Sequence, residues 1–203
     1  MARKTEDDMS EGRVDLDTHA DTCVLGRTFV VLEDTGQRCD VTAYDNKNKR
    51  QDVAVVKGAT AYDTPDGTTY ILVFNQALRM EEQDPSLICP NQMRAFGIQV
   101  KDVPGIWDNG DMAHTISAPE TGLRINLDMH GVVSCFHSRI PTAKELEDCE
   151  WITMTGESTW DPHSDKYEKQ ELRRKDQEDI PDPAGTERHM HSDDVTLRQG
   201  YWQ

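Results

Sequence analysis

From Val14 onward the apolar residues come in short bursts, at Cys23 to Leu25, Phe29 to Leu32, Val53 to Val56 and Tyr70 to Phe74. Such runs are shorter than an ordinary helix and rich in β-branched and aromatic side chains, so each predicts a strand. Turn chemistry separates them at Asp34-Thr35-Gly36, Asp45-Asn46 and Asp63-Thr64-Pro65-Asp66-Gly67. The last predicts a hairpin tip between Tyr62 and Tyr70, because Pro65 restricts the backbone and Gly67 frees it. Short strands at this spacing predict an all-β fold, a small barrel or sandwich.

Two short helices interrupt the pattern. Asn91 to Phe96 sets Met93 and Phe96 three apart, and Gly97 is a natural stop. Thr142 caps a second helix running through Cys149, and Glu145 three residues later completes a capping box. Between them, Leu123 to Leu127 and Val132 to Phe136 alternate apolar with polar residues around His130-Gly131, which predicts a second hairpin. Trp151 to Met154 predicts a last strand. Met1 to Gly12 shows no periodicity, and beyond Trp160-Asp161-Pro162 the chain is dense in charge, with Lys166 to Asp176 suited to transient helix.

Composition narrows the function classes. Charged residues make up 30% of the 203 and apolar ones 35%, so the packed part is expected to be shorter than the chain, with disordered termini. The formal net charge of -16 opposes phosphate neutralisation, and no direct nucleic-acid partner is expected. No apolar run is long enough to span a bilayer, which argues against a membrane partner. The five cysteines (Cys23, Cys39, Cys89, Cys135, Cys149) are odd in number and form no C-x-x-C pair, with no apolar leader ahead of them. A reducing, intracellular setting follows as an expectation, with each thiol a small buried hydrophobe. Trp107, Trp151, Trp160 and Trp202 read as core or tail-docking residues. No cofactor is expected.

Candidate chemistry gathers at Asp17-Thr18-His19-Ala20-Asp21-Thr22-Cys23-Val24-Leu25-Gly26. Val14 and Leu16 lead in as an apolar strand, Ala20 is small, and Val24-Leu25 return to the core. Taken alone, these residues fit a catalytic carboxylate loop or an ordinary Asp-Thr turn between strands. A literal Asp34-Thr35-Gly36 lacks the apolar approach, since Glu33 precedes it and Gln37-Arg38 follow, and it reads as a turn. A metal-binding alternative also stands: Asp17, His19 and Asp21 alternate, so on an extended strand they would share a face, with His130, His137 or Asp128 completing a set. His189-Met190-His191 is a weaker pair.

Three pieces in order then carry an extended resemblance. They are D-T-H-A-D-T-C-V from Asp17, the hairpin leading into Tyr70-Ile71-Leu72-Val73-Phe74-Asn75, and Ser86-Leu87-Ile88-Cys89-Pro90-Asn91-Gln92-Met93. Together they resemble the aspartic protease region of copia-type retrotransposon polyproteins. The third piece is similar to the family's N-L-L-S-V-S-Q-L, whose later glycine is matched by Gly97, and the D-T-H-A-D-T-C spelling resembles a diatom and protist branch. The resemblance covers about Arg13 to Val103, with a weaker echo through Trp160.

It implies a retropepsin-like closed barrel or ψ-loop acid protease fold over residues 13–105. A disordered lead-in over 1–12, a β-rich extension over 106–160 and a charged, mostly disordered tail over 161–203 would flank it. The implied activity is aspartic endopeptidase processing of a retrotransposon polyprotein, in the cytoplasm or within virus-like particles. Because a dyad of carboxylates shares one proton, and the chain carries one good motif, the partner carboxylate must come from a second copy in a homodimer. Asp17 is implied as the catalytic acid, Thr18 as the residue tying the two loops, and Ala20 and Asp21 as substrate neighbours. A flap is implied near Gly58 to Asp63, including Gly58, Ala59 and Thr60. A non-catalytic protease-like dimerisation or spacer domain is the alternative.

The chain departs from the family in three ways. His19 stands where the family usually has glycine, and its imidazolium beside the dyad would favour ionised carboxylates and shift the acid limb of activity. The segment after Val103 exceeds a minimal protease. No reverse transcriptase signature, integrase site or zinc knuckle is present in these residues, which points to a fragment, a processed product or a domesticated remnant.

Overall fold

The apolar lead at Val14 and Leu16 becomes β1 (Glu11–Leu16), which starts within the expected lead-in because Glu11 and Gly12 pair with Arg139 and Ser138; it buries Val14 and Leu16, while Arg13 neutralises its buried Asp15 at 2.6 Å. The computed structural model describes residues 11–42, 49–108 and 114–178. Within them the chain is mostly β, with one large mixed sheet. After β1 a loop leads to β2 (Val24–Leu25), and the short strand β6 (Ser86–Ile88) is inserted between the two. β6 runs parallel to β1 through Val14–Ser86, Asp15–Leu87 and Leu16–Ile88, and antiparallel to β2 through Val24–Leu87.

Beyond β2 lie β5 (Thr69–Arg79), β4 (Lys49–Asp63) and, at the edge, β3 (Val30–Thr42). On the far side of β1 comes β11 (Val133–Arg139), followed by β10 (Asp128–His130). Arg139 also pairs with Ala61, joining β11 to β4, so that β11, β1, β6, β2, β5 and β4 close into a ring. β12 (Glu150–Thr153) lies parallel to β5. A second sheet holds β7 (Gln99–Lys101), β8 (Thr115–Ala118) and β9 (Leu123–Asn126).

One hydrophobic core unites these pieces. Val14, Leu25, Phe74 and Phe136 share it with Val100, Ile116, Ile125 and Met154. Phe29 meets Phe74 edge-on at 5.6 Å, and Tyr62 meets Phe136 at 6.0 Å, both within the range of favourable T-shaped pairs. Helix α1 (Pro90–Ala95) forms where expected, with proline at its start and Gly97 at φ +95° after its end. Helix α2 (Ala143–Asp148) carries the expected capping box between Thr142 and Glu145.

The expected division at 105/106 does not divide the fold. β11 covers the whole outer edge of β1, from Glu11–Arg139 to Asp15–Cys135, and β12 extends the sheet beside β5. Phe136, Ile152 and Met154 are buried among the residues of the earlier strands, so 106–160 contributes core and not an appendage. The compact unit ends at Pro162, and a second unit begins at His163. In that unit α3 (Lys166–Glu178) forms over the stretch expected to be helical, with Arg174 paired to Glu171 at 2.7 Å.

Other departures have local causes. Asp34-Thr35-Gly36 does not reverse the chain; it is a bulge within β3, where the register slips between Asp34–Val56 and Arg38–Ala54. Gly36 at φ +76° and the Thr35 hydroxyl donating to Val55 O at 2.7 Å accommodate the extra residues. The Asp45-Asn46 turn lies outside the described residues. The turn at His130-Gly131 forms, but its first arm is β10, because Leu123 to Asn126 pairs with β8 instead. Trp107 and Trp151 are more than two-fifths exposed, so neither is a core residue.

Arg139 ties three elements together at the ring's closing point. Its guanidinium donates to Asp63 at 2.7 and 2.9 Å and to Glu145 at 2.7 and 2.9 Å, joining β11 to the end of β4 and to α2. These bonds hold the Glu145 carboxyl down at about 2, from an ordinary 4.5, and lower Asp63 as well. Carboxyls lowered in the folded state stabilise above the unfolded value and lose that contribution as pH falls toward the folded one. Arg139→Gln is therefore expected to cost about 1–2 kcal/mol at neutral pH. In urea unfolding the gap between variant and wild type should close between pH 4.5 and 2.

Candidate functional site

Asp17 stands at the end of β1, where its N–H still donates to Ile88 O of β6 at 3.0 Å. Beyond it the chain leaves the ladder and turns, with Ala20 N–H donating to Asp17 O at 3.3 Å. The same turn brings two successive amides onto the carboxylate: His19 N–H donates to Oδ1 at 2.9 Å and Ala20 N–H at 3.2 Å. This is the local bonding that suits Asp to a turn, and it orients the carboxylate without any side-chain donor. His19 contributes its main chain, while its imidazole is exposed. Thr18 and Asp21 are exposed too, and Asp17 and Ala20 are half-buried.

The return limb of the loop rests on a buried polar group. Cys23 N–H donates to Gln92 Oε1 at 2.8 Å, and Gln92 Nε2 donates to Gln76 O at 2.9 Å and Asn75 O at 3.4 Å. Those carbonyls are available because β5 bulges there: its register slips between Val56–Ala77 and Gly58–Phe74, with Gln76 at φ +51°. Asn75 is bonded in turn to Thr155, whose hydroxyl accepts from Asn75 N–H at 2.7 Å and donates to Asn75 O at 2.8 Å. Cys89 caps α1 through Sγ, accepting from Gln92 N–H at 3.4 Å, and Cys89 N–H donates to Cys23 Sγ at 3.3 Å. Burial pushes the Cys23 thiol far up and raises Cys89, to which the charges of Asp21 and Asp17 add. Both thiols are buried, and each accepts a main-chain hydrogen bond at its sulfur.

The expected flap residues lie elsewhere. Gly58, Ala59 and Thr60 sit in the middle of β4 between β3 and β5, and Ala59 and Thr60 are wholly buried. Gly58 is glycine because a Cβ would come within 2.6 Å of Leu25 Cδ1, a packing reason and not a hinge. Thr60 Oγ1 bonds Thr28 O at 3.1 Å and Ser138 Oγ at 2.9 Å. The exposed element beside the loop is the outer part of the β3–β4 hairpin. There Cys39 and Val41 pack with Val53 against Val24 and Leu78, and the Cys39 thiol is raised by burial and by the charges of Asp21 and Asp40.

Among the described residues the geometry does not assemble the metal-binding alternative. Asp17, His19 and Asp21 fall on a turn and a bend, so they lack the common face that an extended strand provides. Asp128 and His130 lie on β10, and His137 on β11 faces Glu11 at 4.0 Å. Among the described residues no group of three His, Cys, Asp or Glu is placed to hold a metal ion. His189-Met190-His191 lies outside the described residues.

The sequence alone does not mark Gln92 and Asn75 as site residues, though both stand within the motifs that carry the resemblance. A polar residue on the buried face of a short helix is the one available signal, and a helix as short as α1 blurs it. Comparison with protein-family models, with curated proteins and with solved structures finds no match. Gln92→Leu leaves the Cys23 amide and the Gln76 carbonyl buried and unpaired, and is expected to cost about 2–4 kcal/mol in urea unfolding. Asn91→Ala, at the exposed neighbouring position, should stay within about 0.5 kcal/mol of wild type.

Proposed function

We propose that the chain is a retropepsin-like aspartic endopeptidase that acts as a two-fold homodimer and processes a copia-type polyprotein. The observation that carries this reading is the Asp17 carboxylate, held by two successive main-chain amides on a loop whose limbs are separated by an inserted strand. That arrangement fits a ψ-loop, and the pairing of β11 with β4 is in keeping with the closed barrel that the resemblance implies.

A single copy supplies one carboxylate, and water activation requires two that share a proton. In the proposed dimer the Asp17 side chains face each other across the axis. One, ionised, takes a proton from water as it attacks the scissile carbonyl, while the other, protonated, donates to the carbonyl oxygen. The amides of His19 and Ala20 then keep each Asp17 carboxyl oriented and stabilise the charge of the ionised one. In this reading His19 is accommodated, since its main-chain N–H bonds the Asp17 carboxylate while its side chain stays exposed. Exposed Thr18 is the residue available to bond the opposite loop. The outer β3–β4 hairpin replaces Gly58 to Thr60 as the element that covers substrate, since it is exposed beside the loop whereas Gly58 to Thr60 are buried within the sheet.

The test is cleavage of a polyprotein-derived peptide library by the wild-type chain and by Asp17→Asn, with sedimentation run on both. The wild type should cleave as a dimer, and the variant should remain dimeric while its rate falls by about a thousandfold or more. A dimeric wild type that cleaves nothing would favour the non-catalytic dimerisation module, and a cleaving monomer would exclude the shared dyad.

A further inference from the structure

We infer that the segment from Met154 to Trp160 is a strap that fixes the return limb of the Asp17 loop, with Trp160 as a positioning residue. Its consequence for catalysis rests on the endopeptidase reading, whereas the strap itself stands on contacts of its own.

The segment leaves β12 along the sheet, with Met154 N–H donating to Val73 O at 2.8 Å, and Met154 and Thr155 are wholly buried. Thr155 then grips the bulge in β5 through both main-chain groups of Asn75, and its carbonyl accepts from Asn75 Nδ2 at 2.7 Å. Two residues on, Glu157 O accepts from Gln76 Nε2 at 3.3 Å, and its carboxylate pairs with Lys57 at 3.3 Å. The chain next brings Trp160 to the loop, where the indole Nε1–H donates to Asp21 O at 2.8 Å.

The loop's return limb is therefore held at two points. Gln92 takes the amide of Cys23, and Trp160 takes the carbonyl of Asp21. Both holds trace back to the Asn75-Gln76 bulge, one through Gln92 and the other through Thr155 and Glu157. Asp21 directly follows Ala20, whose amide bonds the Asp17 carboxylate, so a shift of the Asp21 carbonyl moves a donor of the site. The indole suits this role because it is a donor only and its ring is rigid. None of the strap lies within residues 13–105, the span that the resemblance assigns to the protease, so the site reaches beyond that span.

The test uses Trp160→Phe in the full chain, which keeps an aromatic ring and removes the donor, with Ser158→Ala on the exposed part of the strap as control. Backbone relaxation by NMR should show order parameters at residues 18–22 falling from about 0.85 toward 0.6 in Trp160→Phe. The Cys23 amide should exchange about fivefold faster, the equivalent of one ordinary hydrogen bond, while β1 and β5 amides keep their protection. On a cleaved peptide kcat should fall about tenfold with KM unchanged, as expected for a misplaced catalytic group. Unchanged loop order and Cys23 exchange in Trp160→Phe would overturn the strap, whatever the activity. If the wild type cleaves nothing, the endopeptidase reading fails alone, and the relaxation data still decide the strap in either direction.

Discussion

The insertion of β6 between β1 and β2 is the constraint from which the rest of the site follows. With a strand between them, the limbs of the Asp17 loop stand two strand spacings apart, roughly 10 Å. The residues that cross this gap have no ladder to join, so their backbone groups need partners of another kind. Asp17 N–H uses the last carbonyl of β6, Cys23 O accepts from Leu78 N–H at 2.8 Å, the amides of His19 and Ala20 turn onto the Asp17 carboxylate, and Cys23 N–H and Asp21 O reach Gln92 and Trp160. A carboxylate positioned by main-chain amides is thus a consequence of topology. The crossing loop has few other ways to satisfy its own backbone.

The same constraint explains the β5 bulge. A regular β5 would spend the carbonyls of Asn75 and Gln76 on its neighbours, and Gln92 would have nothing to anchor it. The extra residue frees them, at the cost of a non-glycine backbone at φ +51°. Strained backbone of this kind persists where surrounding bonds over-determine it. Here Thr155, Gln92 and Glu157 all bond the bulge.

Much of the architecture was legible because it rests on local rules. The capping box at Thr142, the stop at Gly97, the hairpin tip at Asp63 to Gly67 and the helix beginning near Lys166 each follow from residues within a turn of one another. What depended on tertiary pairing was not legible. Leu123 to Asn126 alternates as any half-buried strand does, and nothing in that alternation selects β8 over the strand after Gly131. Gly58 carries in the sequence only the flap role that the resemblance implies, whereas its requirement is the nearness of Leu25, which only packing reveals. At the site, the order Asp17, Thr18, Ala20 was readable as a loop, but its support comes from residues 69 and 139 positions away.

The extension also constrains how two copies can meet. β11 occupies the outer edge of β1 along its length, so that edge offers no free backbone to a second chain. Among the described residues the edges of the large sheet are β10, three residues long, β12, four residues long, and β3, whose register is broken in three places. Short or bulged edges resist strand addition, because a flat row of donors and acceptors is what a partner strand requires. A dimer built by continuing this sheet is therefore disfavoured. The proposed two-fold contact falls instead to side chains around the loop, where Thr18 is exposed and Asp17 is half-buried. A dyad requires the copies to approach there, since carboxylates can share a proton only at hydrogen-bonding distance.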